Sequence, residues 1–165
     1  MDNVPQDIEI LQLFIKHKNL DSLLDKLSYE DVVYMDTMVS SLYIVIRHRL
    51  LNLEATAELP TADDRYMDFC YYCLSLPRER ILSLINNPCY ELKEDRLYYV
   101  NLNGKTYQNE GYLSSDISEY MRKKYKVFIN QDMSYEDALI FLNSYYDILI
   151  DKIKIPISND YYSIC

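Results

Sequence analysis

The longest amphipathic stretch of the chain constrains its fold more than any other feature. It begins at Ser28-Tyr29-Glu30-Asp31, a variant of the capping box in which the serine hydroxyl accepts a hydrogen bond from the amide three residues on. Apolar side chains then recur at helical spacing for about 20 residues. They are Met35, Met38, Val39, Leu42, Ile46, Leu50 and Leu53. Because such a face must be buried against other elements, we predict a long helix over Glu30–Leu53.

A second cap signal of the same kind predicts a partner for this helix. Ser134-Tyr135-Glu136-Asp137 repeats the earlier pattern, and Pro156 ends the helical spacing that follows it. The inner face of this second helix consists of Ala138, Leu139, Leu142, Tyr145, Tyr146, Leu149 and Ile153. We predict a helix over Tyr135–Lys152, antiparallel to the first. The sequences after the two caps do not align, which favours recurrence of a good cap over an internal duplication.

Shorter helices and one β-hairpin complete the predicted fold. Further helix starts are indicated by Pro5, Thr61, Pro77 and Ser114. Asn103-Gly104, between β-prone segments, predicts a hairpin over about residues 97–108. The chain of 165 residues fits one domain. We therefore predict a mainly α fold with a small β-hairpin: a compact helical domain over residues 1–157, built on two long antiparallel helices, and a loose C-terminal tail over 158–165.

The net charge of the chain favours some classes of binding partner over others. The formal net charge is −9, and such a protein repels phosphate backbones and anionic lipids while attracting basic proteins. Residues 1–5 lack the basic and apolar regions of a signal peptide, and no run of about 18 apolar residues is present. These observations favour a cytoplasmic protein in a reducing compartment, without a membrane anchor and with nucleic acid disfavoured as a partner.

The sequence offers no convincing catalytic or metal site. Cys70-Tyr71-Tyr72-Cys73 has C-x-x-C spacing, but it falls late in a predicted helix and has no second pair to complete a zinc site. Packing in the core, with reduced thiols, is the favoured interpretation. His17 and His48 are flanked by basic residues and pair with no nucleophile. We predict no catalytic residue, no cofactor and no metal, and an enzyme of unrecognised type stays open as an alternative.

Tyrosine pairs are the best candidates for a partner-binding surface. The chain has 18 tyrosines, and adjacent tyrosines in a helix or strand direct one ring inward and the other outward. Exposed rings among carboxylates bind proteins well because they add contact area at low entropic cost. The candidate residues are Tyr71, Tyr72, Tyr98, Tyr99, Tyr145, Tyr146, Asp63 and Asp64.

One basic cluster supports a different hypothesis. It consists of Arg122, Lys123, Lys124 and Lys126, at the C-terminal end of a predicted helix where cations complement the helix dipole. Residues 93–126 contain seven basic and five acidic residues, so they are slightly basic in an acidic chain. With Lys105 in the hairpin as part of a wing, the cluster is compatible with a winged-helix-like regulator that binds nucleic acid.

Protein binding is the function that the sequence favours. In composition only, the chain resembles bacterial immunity proteins, antitoxins and small viral inhibitors of host factors. We predict a non-enzymatic inhibitor or regulator of this kind. It would act through an acidic, Tyr-rich surface on a protein partner, for which a basic protein best suits the charge.

Overall fold

The computed structural model describes residues 3–17, 20–52, 70–87, 113–127, 132–144 and 147–152, and these ranges are mainly helical. The helices are α1 (Asp7–His17), α2 (Leu20–Leu24), α3 (Tyr29–Asn52), α4 (Arg78–Asn86), α5 (Leu113–Tyr125), α6 (Tyr135–Ser144) and α7 (Leu149–Lys152). The prediction of a mainly α fold is confirmed. The expected hairpin over 97–108 and the tail over 158–165 lie outside the described residues.

The central helix α3 forms where the cap signal places it. The Asp31 amide donates to Ser28 Oγ at 3.2 Å, which satisfies one of the amides that a helix start leaves without an intrahelical partner. The helix begins and ends within one residue of the predicted bounds. Its fully buried apolar side chains are Val32, Met35, Met38, Val39, Leu42, Val45, Ile46 and Leu50.

The other helices are arranged around α3. Helices α4, α5 and α6 pack against it, while α1 packs against α2 and α7. Gln12 of α1 donates to the carbonyl oxygens of Leu74 and Leu76 at 2.6 and 2.9 Å, and Arg78 Nε donates to the Val4 carbonyl at 2.7 Å. These bonds fix α1 against the segment that leads into α4. None of the helices in the described ranges has the length and apolarity of a membrane span.

The helix expected over Tyr135–Lys152 is interrupted. Helix α6 ends at Ser144, and Asp147 and Ile148 are not helical. The amides of Ile148 and Leu149 donate to Asp7 Oδ2 at 2.8 and 3.1 Å, and the Asp7 amide donates to Asp147 Oδ1 at 3.1 Å. Because these amides bond to a distant carboxylate instead of the preceding turn, the chain restarts as the short helix α7.

Asp7 and Asp147 therefore join the starts of two helices. Asp7 opens α1 and is fully buried, and Asp147 precedes α7. Each carboxylate accepts from the backbone at the start of the other helix, where the partial positive charge of the helix favours an anion. This pair is a structural explanation for a buried aspartate that the sequence did not single out.

We expect the Asp7→Ala substitution to lower the free energy of unfolding by about 2–4 kcal/mol, because two backbone amides lose a charged acceptor in a buried place. Urea unfolding measures the difference. Asp137→Ala is the matched control, since Asp137 is also in the first turn of a helix but is exposed. It should cost less than about 1 kcal/mol. Equal losses in the two variants would contradict the role given to Asp7.

Candidate protein-binding surface

The tyrosine pair at residues 71 and 72 is largely packed inside the protein. Tyr72 is 4% exposed and belongs to the hydrophobic core. Tyr71 is half-buried and stacks on Tyr43, with ring centroids 4.4 Å apart. In this arrangement the pair presents little area to a partner. The other candidates, Tyr98, Tyr99, Tyr145, Tyr146, Asp63 and Asp64, lie outside the described residues.

An exposed tyrosine occurs instead at the start of α3. Tyr29 is 38% exposed and meets Tyr125 of α5 edge to face, with ring centroids 5.0 Å apart. From the sequence, Tyr29 is expected only as part of the helix cap. Its exposure could have been predicted from its place in the first helical turn, away from the inner stripe that begins at Met35.

Most of the described basic cluster is engaged with carboxylates of the same chain. Glu119 pairs with Arg122 at 2.6 Å and with Lys123 at 3.5 Å, and Lys124 Nζ lies 2.9 Å from Asp25 Oδ1. Lys126 is exposed just after α5, and Lys105 lies outside the described residues. The internal pairs reduce the positive potential that this helix end offers to a phosphate backbone.

One of these lysines belongs to a compact polar network. Tyr120 donates its hydroxyl proton to Asp25 Oδ1 at 2.6 Å, and Lys124 Nζ donates to both Asp25 and the Tyr120 oxygen, at 2.9 and 2.8 Å. The bond from Tyr120, and then that from Lys124, lowers the pKa of Asp25 below its ordinary value. Bonds to Tyr120 and Asp25 raise the pKa of Lys124, and burial raises that of Tyr120. Through these side-chain hydrogen bonds the network links α5 to the segment before α3.

His48, Cys70 and Cys73, which were considered for catalysis or metal binding, occupy packed positions. His48 stacks on Tyr135 with ring centroids 3.7 Å apart, and the Arg49 guanidinium carbon lies 5.9 Å from the centre of the same ring. Cys70 and Cys73 are free thiols and fully buried. Within the described ranges, no three His, Cys, Asp or Glu residues are grouped so that they could hold a metal ion.

The outer side of α6 combines charge with exposed apolar area. Its inner side chains Ala138 and Leu142 are fully buried, whereas Ile140 between them is 67% exposed. Glu136, Asp137 and Asn143 are also exposed, and they lie three or four residues from Ile140, so they share its side of the helix. We call Glu136, Asp137, Ile140 and Asn143 the α6 face.

The carboxylates of the α6 face are not neutralised by the described part of the chain. Residues 132–144 contain Asp132, Glu136 and Asp137 but no lysine or arginine. Among the described residues none of these three carboxylates forms an ion pair, in contrast to Asp25 and Glu119. The α6 face thus presents an exposed isoleucine beside carboxylates that have no ion pair with any described residue.

The exposure of Ile140 leads to a stability prediction within one helix. Ile140→Ala should change the free energy of unfolding by no more than about 0.5 kcal/mol, since little buried area is lost. Leu142→Ala, two residues on, should cost about 2–5 kcal/mol because it leaves a cavity in the core. Urea unfolding of both variants tests this, and a large loss in the Ile140 variant would mean that this side chain is covered.

The Asp25 network predicts a pH effect. In Tyr120→Phe the pKa of Asp25 should rise toward its ordinary value, because the hydroxyl that stabilises the carboxylate is gone. A carboxyl group whose pKa is lowered in the folded state stabilises the fold above about pH 4, and this contribution is lost as the pH falls through the pKa of the folded state. Because the variant lacks most of this contribution, it should lose less stability on acidification. NMR titration of the Asp25 carboxyl carbon measures the shift. Tyr125→Phe is the control and should leave that pKa unchanged.

The structure thus brings the basic residues together with acids, packs Tyr71 and Tyr72 inward, and presents the α6 face outward. Comparisons with protein-family models, curated proteins and solved structures find no match to this chain.

Proposed function

We propose that this chain is a non-enzymatic protein-binding inhibitor or regulator that holds a basic partner protein through the α6 face. The observation that carries the proposal is Ile140, a large apolar side chain 67% exposed on a helix whose neighbouring carboxylates have no ion pair among the described residues. An apolar contact ringed by charge is the usual composition of a protein interface.

The packing of α6 against α3 supports this role because it holds α6 in place. Phe141 meets Tyr34 of α3 with ring centroids 4.9 Å apart, and Tyr135 stacks on His48 farther along α3. We infer from this order of contacts that α6 runs antiparallel to α3. Aromatic packing near both ends restricts α6, and a rigid surface loses less conformational entropy when a partner binds. In this arrangement the described tyrosines mainly pack α6 against α3, and the α6 face itself provides the contacts to a partner.

The charge distribution favours a protein partner over nucleic acid. A net charge of −9 attracts a basic protein at long range, and the α6 face provides carboxylates for it at contact. The same field opposes a phosphate backbone, and the Arg122–Lys124 cluster is occupied by Glu119 and Asp25. The winged-helix alternative therefore has less support than protein binding.

The test is capture of partners from the native lysate by the tagged full chain, with and without nuclease, followed by mass spectrometry. We expect one stoichiometric protein whose recovery survives nuclease. Glu136→Lys should weaken its affinity about tenfold, or about 1.4 kcal/mol, because an attraction becomes a repulsion.

Glu79→Lys is a closely matched control. Glu79 and Glu136 are both exposed at the second position of a helix, so the two substitutions change the net charge and the helix dipole equally. We expect Glu79→Lys to leave recovery close to that of the unchanged protein. Equal weakening by both substitutions would show that only overall charge matters, and recovery that disappears with nuclease would support the nucleic-acid alternative instead.

A further inference from the structure

We propose that the segment of the partner bound by the α6 face is an amphipathic helix, with one apolar ridge and with lysine or arginine side chains grouped on one side of that ridge. This inference rests on the proposed function and names the chemistry that would recognise the face. The observations that support it are the helical backbone at the α6 face and the order of the charges along that face.

The backbone around the α6 face favours side-chain recognition. The face belongs to the helix α6, which itself offers no strand edge with which an extended peptide could pair. The amides and carbonyls inside α6 bond within the helix, and its start is capped by Ser134, whose Oγ accepts from the Asp137 amide at 3.1 Å. A partner must therefore contact α6 through side chains, as one helix does when it packs on another.

The exposed positions form a ridge suited to such packing. Glu136, Ile140 and Ser144 follow one another at intervals of four residues and are all exposed. Ridges at this spacing fit between the side chains of a second helix crossing at an angle, with axes about 8–10 Å apart. Helix α6 has 10 residues, which gives a length of about 15 Å and room for two or three turns of a partner.

The order of side chains along the ridge sets the pattern expected in the partner. Glu136 and Asp137 are at the N-terminal part of the face, Ile140 is in the middle, and Asn143 at the C-terminal part is neutral. Cationic side chains of a partner gain attraction only over the first part. The bound helix should therefore carry its cations on one side of the apolar residues that cover Ile140.

Both parts of the face should contribute to the affinity. Full burial of one large aliphatic side chain strengthens binding by about tenfold to a hundredfold. Pairs between exposed charges contribute less each and weaken as salt is added. Removal of either contribution should therefore reduce the affinity without abolishing it, and the ionic part alone should depend on salt.

Three labelled synthetic peptides of about 18 residues test the inference, a length sufficient for a helix to form on binding. The first contains leucine and lysine arranged as an amphipathic helix with the lysines on one side of the leucine ridge. The second has the same composition in an order without a helical stripe, and the third replaces every lysine with glutamate. Each is titrated with the full chain and followed by fluorescence anisotropy.

We expect the first peptide to bind at least about tenfold tighter than the second, and the third to show no binding. Ile140→Ala and Glu136→Lys should each weaken the first peptide about tenfold, whereas Glu79→Lys should change its affinity less than about twofold. Equal binding of the first two peptides, or equal effects of Glu136→Lys and Glu79→Lys, would overturn the helix inference. The proposed function would survive that result if lysate capture still depended on Glu136, and would fall with it if capture did not.

Discussion

Burial of the apolar face of α3 is the requirement on which the rest of the structure depends. Along this helix the side chains from Val32 to Leu50 that point inward are excluded from solvent, and none of the other described helices is long enough to cover them alone. Helices α4, α5 and α6 each cover part of the length. The buried hydroxyl of Ser41 on α3 is accommodated within the helix, because it donates to the Thr37 carbonyl at 2.7 Å.

Polar contacts between distant residues then fix the helices around α3. Asp7 and Asp147 join the starts of α1 and α7, and Tyr120 and Lys124 attach α5 to Asp25. Asp7 and Tyr120 are buried, where polar groups need a partner, so their bonds help to select one arrangement among several that hydrophobic packing alone would allow. Lys152 of α7 also pairs with Asp31 at the start of α3.

These contacts determine which charged side chains remain available to bind other molecules. Glu119 and Asp25 are paired with Arg122, Lys123 and Lys124, which reduces the net charge that these residues present. The α6 face has no basic residue of its own and keeps its negative charge next to an exposed isoleucine. The two helices differ because α5 has three basic residues in its last turn and α6 has none, and this difference is the basis for the proposed binding of a basic partner.

The sequence by itself determined the mainly helical fold and the position of α3, because a serine cap and apolar spacing are local signals that act within a few residues. It also indicated the buried thiols of Cys70 and Cys73 and, by leaving Ile140 off the inner stripe, contained the signal for the α6 face. Tertiary structure alone decided that Asp7 interrupts the second long helix, that Asp25 engages Lys124 and that Tyr72 is buried. These outcomes depend on pairs up to 142 residues apart in the chain, and spacing within one segment carries no information about which distant group will satisfy a buried amide or charge.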